Sequence, residues 1–269
     1  MTNNLSENIS LSAPGASAGL LAGRVAVITG ATAGIGAATA HRFASAGAAV
    51  ALLGRRSSRL DDLAATLRKE GSAGVLPLAV DVTDPAALAT AAATIRGALG
   101  SPDLVVANAG VMLGAPFDVA DTAEWDQMID VNLRGLLSTG RVFIDDLLAA
   151  ADAGRAADLV NIGSIAAEVI FADYPVYGAT KAAVTQLTRN LRASLGPRGV
   201  RVRSVDPGFA LTELGDSMAH DATRVGLDEM RSAITPITAD DVADAITYSV
   251  TAPARVNIAE LTVVPTQLG

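Results

Sequence analysis

Thr29-Gly30-Ala31-Thr32-Ala33-Gly34-Ile35-Gly36 joins a short apolar run, residues 24–29, to a helical pattern over residues 37–46. The apolar run is rich in β-branched residues and predicts a buried strand. Glycines let the following turn bend tightly and approach a phosphate closely, and the next helix offers unpaired N–H groups and the positive end of its dipole. The stretch therefore predicts a βαβ unit that binds a dinucleotide at its turn.

Six further apolar runs follow along the chain and alternate with longer helical patterns. Most of them are continuous rather than alternating, which is typical of strands in a parallel sheet with helices on both faces. The pattern predicts an α/β protein with a doubly wound Rossmann-type sandwich and a seven-stranded, mainly parallel sheet. The predicted strands are residues 24–29, 48–53, 75–80, 103–107, 158–162, 200–205 and 260–264.

Two helix starts are marked by an aspartate. Asp84 precedes Pro85, a pair typical of an N-cap followed by the first helical position. Asp121 opens a longer helical pattern that runs through Leu133. No repeat and no long linker interrupts the pattern, so we expect residues 23–269 to form a single Rossmann-type catalytic domain. Residues 1–22 carry no Lys or Arg, unlike a secretory signal, and we expect them to be a flexible N-terminal extension.

The composition of the 269-residue chain limits its function. Half of the residues are hydrophobic and 18% are charged, which indicates a compact globular protein. No apolar stretch reaches the ~20 residues of a membrane span. The net charge of −8 argues against nucleic acid or an anionic membrane as a partner. The absence of cysteine fits the cytoplasm, and with only two histidines we expect no metal site.

A candidate acid/base pair lies near the middle of the chain. Tyr177 and Lys181 are four residues apart and share a helix face, and Ser164 lies thirteen residues before the tyrosine. A tyrosine titrates near ~10, and a nearby ammonium lowers its pKa toward neutrality. An isolated Tyr-x-x-x-Lys pair also occurs on surface helices, where the tyrosine only packs and the lysine is solvated. The surrounding motifs decide between these two interpretations.

The glycine spacing, Gly-x-x-x-Gly-x-Gly, resembles that of the short-chain dehydrogenases/reductases. Five further motifs occur in the order of that family, and the resemblance covers the chain from about residue 23 to its C-terminus. The family motif Asn-Asn-Ala-Gly has an alanine in place of its first asparagine here. The matching segments are Asp81-Val82, Ala107-Asn108-Ala109-Gly110, Val131-Asn132-Leu133, the Ser164, Tyr177 and Lys181 set, and Pro207-Gly208-Phe209-Ala210-Leu211-Thr212.

The resemblance implies a catalytic tetrad of Asn132, Ser164, Tyr177 and Lys181. In such a tetrad Tyr177 exchanges a proton with the substrate oxygen, to which Ser164 also donates a hydrogen bond. Lys181 lowers the tyrosine pKa and binds the cofactor ribose, and Asn132 holds a water. The implied cofactor contacts are Gly30, Thr32, Ala33, Gly34, Ile35, Gly36, Asp81, Val82, Asn108, Ala109, Gly110, Tyr177, Lys181, Pro207, Gly208 and Thr212.

The end of the second predicted strand favours NADP(H) over NAD(H). An NAD-binding fold places a carboxylate here for the ribose 2′-OH, but this chain has Gly54 followed by Arg55 and Arg56. A guanidinium instead matches the oxygens of a 2′-phosphate. We therefore expect Arg55, with Arg56 as a second contact, to bind that phosphate, the alternative being that both arginines are solvated.

Residues 209–234 are apolar with interspersed acids, and the resemblance implies a lid over the substrate. An apolar cleft with few polar groups suits a small, largely uncharged carbonyl or alcohol. We expect substrate contacts from Ser164, Tyr177 and Phe209, while Tyr174 either lines this pocket or covers the sheet. The tail through Pro265-Thr266-Gln267 resembles the NADP-dependent serine dehydrogenases and clavulanate-type aldehyde reductases of the family.

The resemblance implies an NADP-dependent alcohol dehydrogenase/carbonyl reductase that assembles as a homodimer or homotetramer. The alternative is a catalytically idle NADP-binding sensor or regulatory protein on the same fold. An epimerase-like isomerase is disfavoured because such relatives carry Gly-x-x-Gly-x-x-Gly and a larger substrate domain.

Overall fold

The computed structural model describes residues 19–72 and 74–268, and within them a seven-stranded sheet forms the centre of the fold. Every pair of neighbouring strands in this sheet is parallel. All seven predicted strands are present, and the predicted doubly wound fold is confirmed. The strands are β1 (Val25–Thr29), β2 (Ala49–Gly54), β3 (Val75–Ala79), β4 (Leu104–Ala107), β5 (Ala157–Ile162), β6 (Val200–Pro207) and β9 (Glu260–Val263), and a separate pair is β7 (Ala210–Leu211) with β8 (Ile237–Thr238).

The helices lie on both faces of the sheet. Each strand directs alternate side chains to opposite faces, so Ile28 packs in one buried cluster with Phe43 and Val242, while Val27 packs in the other with Leu88 and Phe143. The helices are α1 (Gly34–Ser45), α2 (Ser57–Lys69), α3 (Pro85–Leu99), α4 (Thr122–Ile129), α5 (Leu136–Asp152), α6 (Pro175–Leu195), α7 (Asp221–Ala233) and α8 (Ala239–Thr251).

The strand order β3-β2-β1-β4-β5-β6-β9 indicates at which edge of the sheet a binding crevice lies. The order reverses between β1 and β4, and a crevice opens outside the carboxyl ends of the strands at such a point. The segments that follow β1, β4, β5 and β6 therefore meet at one edge of the sheet. These are the segments that carry most of the predicted site residues.

Both predicted aspartate caps are present. Asp84 Oδ1 accepts the N–H groups of Ala86 and Ala87, and Asp121 Oδ1 accepts that of Ala123. The helix that starts after Asp121 is not continuous, because residues 130–135 form a π-helical turn between α4 and α5. Such turns are rare and often lie at functional sites.

Most of the predicted N-terminal extension lies outside the described residues. Of its described part, Leu21 is buried in the core, and its N–H donates to the carbonyl of Ala46 at 2.8 Å. Leu21 is therefore packed in the core, whereas its neighbours Leu20 and Ala22 are exposed. Among the residues described, no helix combines the length and apolarity that crossing a membrane requires.

Candidate active site

A cleft of about 600 Å³ lies at the carboxyl ends of the central strands. Its walls come from the glycine-rich turn after β1, the ends of β4, β5 and β6, the segment after β6, and α7. Two predicted site residues, Gly36 and Asn132, lie beneath its surface. The predicted residues that line the cleft are Gly30, Thr32, Ala33, Gly34, Ile35, Arg55, Arg56, Asp81, Val82, Asn108, Ala109, Gly110, Ser164, Tyr177, Lys181, Pro207, Gly208, Phe209 and Thr212.

Two of the three glycines of the turn serve different purposes. Gly34 adopts a φ of 53°, in the left-handed region that glycine favours. Gly36 is a packing glycine, because a Cβ there would lie 2.4 Å from the carbonyl oxygen of Gly30. Helix α1 begins at Gly34, and its N-cap residue, Ala33, has no side chain that can accept a hydrogen bond. The first N–H groups of α1 thus face the cleft without a side-chain cap.

The turn is tied to the loop after β4 by two polar side chains. Thr29 Oγ1 accepts the N–H groups of Asn108 and Ala109 at 3.0 and 3.1 Å. Asn108 Nδ2 donates in return to the carbonyl of Thr29 at 2.9 Å. This reciprocal pair explains why an asparagine follows β4 at this position.

Arginines surround the far end of the cleft, beyond β2. A Cβ on Gly54 would lie 2.7 Å from Thr32 Cγ2, so any side chain at this position would require the Thr32 side chain to move. Arg56 donates to Thr32 Oγ1 through Nε and Nη2 at 3.2 and 2.8 Å. Its Nη1 donates to Glu213 at 2.8 Å, and Glu213 also accepts from Arg59.

Asp81 lies at the wall between the arginines and the sheet. Burial raises its pKa, but hydrogen bonds from the N–H and hydroxyl of Thr83 outweigh that effect, and the pKa is lowered. Asp81 is therefore held ionised beside Arg55, which also lowers its pKa.

Ser164, Tyr177 and Lys181 meet at the middle of the cleft. Ser164 follows β5, and its Oγ accepts the N–H of Ala166 at 3.1 Å. Tyr177 and Lys181 lie one turn apart on α6, are each 5% exposed, and face the end of β5. Lys181 Nζ donates to the carbonyl of Ile162 at 2.9 Å and lies 5.8 Å from the centre of the Tyr177 ring.

The prediction that Lys181 lowers the pKa of Tyr177 is wrong for the chain without a bound cofactor. Burial raises the pKa of Tyr177 to about 12, although the Ser164 hydroxyl acts in the opposite direction. Burial also lowers the pKa of Lys181 to about 8, opposed by the carboxylate of Asp206. The physical reason is that both groups are buried, and this loss of solvent outweighs the opposing effects of Ser164 on Tyr177 and of Asp206 on Lys181.

Asn132 lies in the π-helical turn, fully buried behind the cleft. Its Oδ1 accepts the N–H of Val111 at 2.8 Å, and its Nδ2 donates to the carbonyl of Val111 at 2.9 Å and to Thr180 Oγ1 at 3.2 Å. The side chain thus ties the loop after β4 to α6. That Asn132 also holds a water stays a prediction.

One wall of the cleft is apolar and aromatic. Phe171 contacts Phe209 edge to face at 5.7 Å between ring centres and Tyr174 at 6.5 Å. From α7, Arg231 Nη2 donates to the carbonyls of Thr212 and Leu214 at 3.2 and 2.6 Å and so holds the segment after β6 in place.

Several cleft residues were not predicted as site residues from the sequence. Glu213 and Arg231 carried no motif, because their partners are backbone groups or arginines far away in sequence. Met112 and Phe171 line the cleft from loops without a pattern. Within residues 209–234, which are predicted to form a lid, Met218 is buried and His220 caps α7, since its Nδ1 accepts the N–H of Thr223.

Comparisons with known proteins agree with this geometry. The sequence profile of the short chain dehydrogenase family matches residues 24–223. The chain is 39% identical to sulfoacetaldehyde reductase 2 of Chromohalobacter salexigens, over 90% of this chain and 94% of that protein. It is 37% identical to serine 3-dehydrogenase of Rhizobium radiobacter, over 89% of this chain and 92% of that protein.

A solved structure extends the similarity to three dimensions. The closed form of a serine dehydrogenase complexed with NADP+ superposes with a TM-score of 0.83 at 32% identity, covering 90% of this chain and 95% of that one. Sequence profile, relatives and fold each match most of the chain. The chain therefore belongs to the short-chain dehydrogenase family of oxidoreductases.

Proposed function

We propose that this chain is an NADP-dependent alcohol dehydrogenase/carbonyl reductase acting on small, largely uncharged alcohols, ketones or aldehydes. The observation that carries the proposal is the meeting of Ser164, Tyr177 and Lys181 in one cleft, directly beside the glycine-rich turn. Relatives support the reaction class, since one is a reductase of an aldehyde and another a dehydrogenase of serine.

The residues of the cleft fit a dinucleotide cofactor. The uncapped start of α1 and the left-handed Gly34 suit a pyrophosphate, which such helix ends bind through their N–H groups. Asp81 and Val82 would lie against the adenine. Pro207, Gly208 and Thr212 would contact the nicotinamide carboxamide, and Lys181 the ribose. Gly30, Thr32, Ala33, Ile35, Asn108, Ala109 and Gly110 would complete the walls.

The arginines support NADP(H) over NAD(H). Arg55 and Arg56 line the cleft beyond Gly54, where the carboxylate of an NAD-binding protein would stand. Their guanidinium groups would bind the 2′-phosphate. A related structure that contains NADP+ agrees with this choice.

Three side chains would share the proton chemistry. When bound, NADP(H) supplies or accepts the hydride. Tyr177 holds the proton that the substrate oxygen gains during reduction, and its phenolate takes a proton during oxidation. Ser164 Oγ would donate to the same oxygen and stabilise the charge that develops there. Because the pKa of Lys181 is lowered only to about 8, its ammonium is mostly charged at pH 7 and favours the phenolate.

Turnover with a panel of ketones and aldehydes tests the proposal. We expect purified protein to oxidise NADPH with at least one of them, and kcat/KM to be higher with NADPH than with NADH. Tyr177→Phe should lower kcat by ~10²- to 10⁴-fold, since it removes the acid/base group, while NADPH still binds. Absorbance at the NADPH band and a cofactor titration measure the two quantities.

Two outcomes would contradict the proposal. Tight NADPH binding without turnover of any compound would favour the catalytically idle sensor instead. Near-normal turnover in Tyr177→Phe would show that another group supplies the proton.

A further inference from the structure

Tyr174 places a second phenol on the substrate side of the cleft. It lies three residues before Tyr177, at the N-cap of α6, and lines the cleft together with Phe171 and Met112. The residue is 8% exposed. The hydroxyl is buried and finds no hydrogen-bond partner anywhere in residues 19–72 and 74–268.

A buried hydroxyl without a partner is costly. It lowers stability by about 1–3 kcal/mol relative to a paired one, whereas a phenylalanine ring could pack in the same space without that cost. Six buried side-chain atoms are unpartnered in the described part of the chain, and Tyr174 is the one residue among them that lines the cleft. The other five belong to Asn161, Arg201, Arg203, Asp206 and Asn257.

The ring of Tyr174 is firmly positioned. A Cβ on Gly114 would lie 2.4 Å from Tyr174 Cε1, so this glycine makes room for the ring. Phe171 packs on the ring at an interplanar angle of 87°. Burial, followed by the carboxylate of Asp173, raises the pKa of Tyr174, which keeps the phenol neutral and able to donate.

The charges around the phenol favour an uncharged ligand group. Arg231 is the cation that α7 contributes to the cleft, and it is already bound to the carbonyls of Thr212 and Leu214 and lies 3.5 Å from Asp216. Its charge is thus partly balanced within the protein. A neutral oxygen can accept from Tyr174 without disturbing these contacts.

We propose that Tyr174 is a specificity-determining residue whose hydroxyl donates to a second, neutral oxygen of the substrate. The substrates would then be uncharged carbonyl compounds that carry a hydroxyl or another carbonyl besides the reacting one, and the corresponding alcohols. This inference rests on the proposed function and narrows its substrate class.

Matched ketones and a matched variant test the inference. 4-Hydroxy-2-butanone and 2-pentanone differ by a hydroxyl in place of a methyl group, as do hydroxyacetone and 2-butanone. We expect Tyr174→Phe to lower kcat/KM for the hydroxyketones roughly 3- to 10-fold, as expected for one lost hydrogen bond, and to leave that for the plain ketones unchanged. The melting temperature of Tyr174→Phe should be equal to or higher than that of wild type. Tyr248→Phe, at a position that is 57% exposed on α8, is the control and should change neither quantity.

Each other outcome overturns a definite claim. If Tyr174→Phe lowers kcat/KM equally for both ketones of a pair, Tyr174 only packs against its neighbours. The same conclusion follows if wild type turns over the plain ketones but not the hydroxyketones. A melting temperature several degrees lower would show that the hydroxyl has a structural partner. If wild type consumes no NADPH with any carbonyl compound, the proposed function itself fails, and this inference fails with it.

Discussion

Lys181 is held where a charged side chain is expensive, and that cost can be measured. Its pKa is lowered from 10.5 to about 8 by burial, so the unfolded chain binds more protons than the folded one between these pH values. Stability rises with pH wherever the unfolded state binds more protons. The contribution of Lys181 to the unfolding free energy therefore rises from pH 8 to pH 10.5, by at most about 3.5 kcal/mol at ~1.4 kcal/mol per pKa unit.

Lys181→Met should remove this contribution. Below pH 8 we expect the variant to gain stability relative to wild type, and this gain to shrink as the pH rises through the window. Urea unfolding at several pH values gives the difference in unfolding free energy. Lys69→Met, which removes an exposed lysine at the end of α2, is the control for the effect of replacing a lysine that is not buried. A difference that stays constant with pH would show that Lys181 is charged in the folded protein over the whole window.

Single residues also show what the sequence could reveal about the site. The glycine turn and the Ser164, Tyr177 and Lys181 set were predictable because each is a motif with local spacing and a defined place after a strand. The pKa of Tyr177 was not, because it depends on how much solvent the folded chain excludes. The unpartnered hydroxyl of Tyr174 was not predictable either, since it depends on every neighbour in three dimensions.

The segment between β6 and α7 is held to the rest of the fold by a small number of polar contacts. Arg231 binds two of its carbonyls, and Glu213 binds Arg56 and Arg59 beyond β2. Hydrogen bonds from Arg56 and then Arg59 lower the pKa of Glu213, so it is ionised at neutral pH. One carboxylate thus links this segment to the arginine that is proposed to bind a 2′-phosphate.

Glu213→Gln should strengthen binding of 2′,5′-ADP, which carries the adenosine half of NADP with its 2′-phosphate. A phosphate must compete with Glu213 for Arg56, and a half-exposed ion pair is worth ~0.2–1 kcal/mol, so we expect roughly a 1.5- to 5-fold lower Kd. The Kd of NADH should not change. Calorimetry at fixed ionic strength measures both, with Glu229→Gln on α7 as the charge-matched control. Weaker binding of 2′,5′-ADP by Glu213→Gln would mean that the carboxylate orients Arg56 for the phosphate.

Elements were predictable where their signals are local. The aspartate caps of α3 and α4 lie beside the N–H groups that they accept, and the sequence indicates both. The π-helical turn after α4 left no such signal. It accompanies contacts of Asn132 with Val111 and Thr180, which lie 21 and 48 residues away in the chain.

The overall fold can be predicted from the hydrophobic runs of the sequence and their order, but its buried ion pairs cannot. At the amino ends of the strands, opposite the cleft, Asp158 is fully buried and pairs with Arg24, Arg201 and Arg203. Arg24 lies 134 residues from Asp158, and Arg203 also reaches the carbonyl of Ser249 at the end of α8. Pairs separated by such distances leave no pattern in the sequence. The cluster joins β1, β5, β6 and α8 through one carboxylate.

Asp158→Asn should destabilise the protein by about 3–5 kcal/mol, because it leaves buried guanidinium groups without their shared counter-charge. The arginines cannot escape to water, since Arg203 is fully buried and burial lowers its pKa to about 10 even beside the aspartate. Urea unfolding measures the loss.

Asp145→Asn, at an exposed position that pairs with Arg141 on α5, should change stability by less than ~0.5 kcal/mol. NADPH should bind folded Asp158→Asn as it binds wild type, because the cluster and the cleft lie at opposite edges of the sheet. A loss of stability no larger than that of Asp145→Asn would show that the arginines are balanced by the carbonyls they contact together with Asp103, which pairs with Arg24.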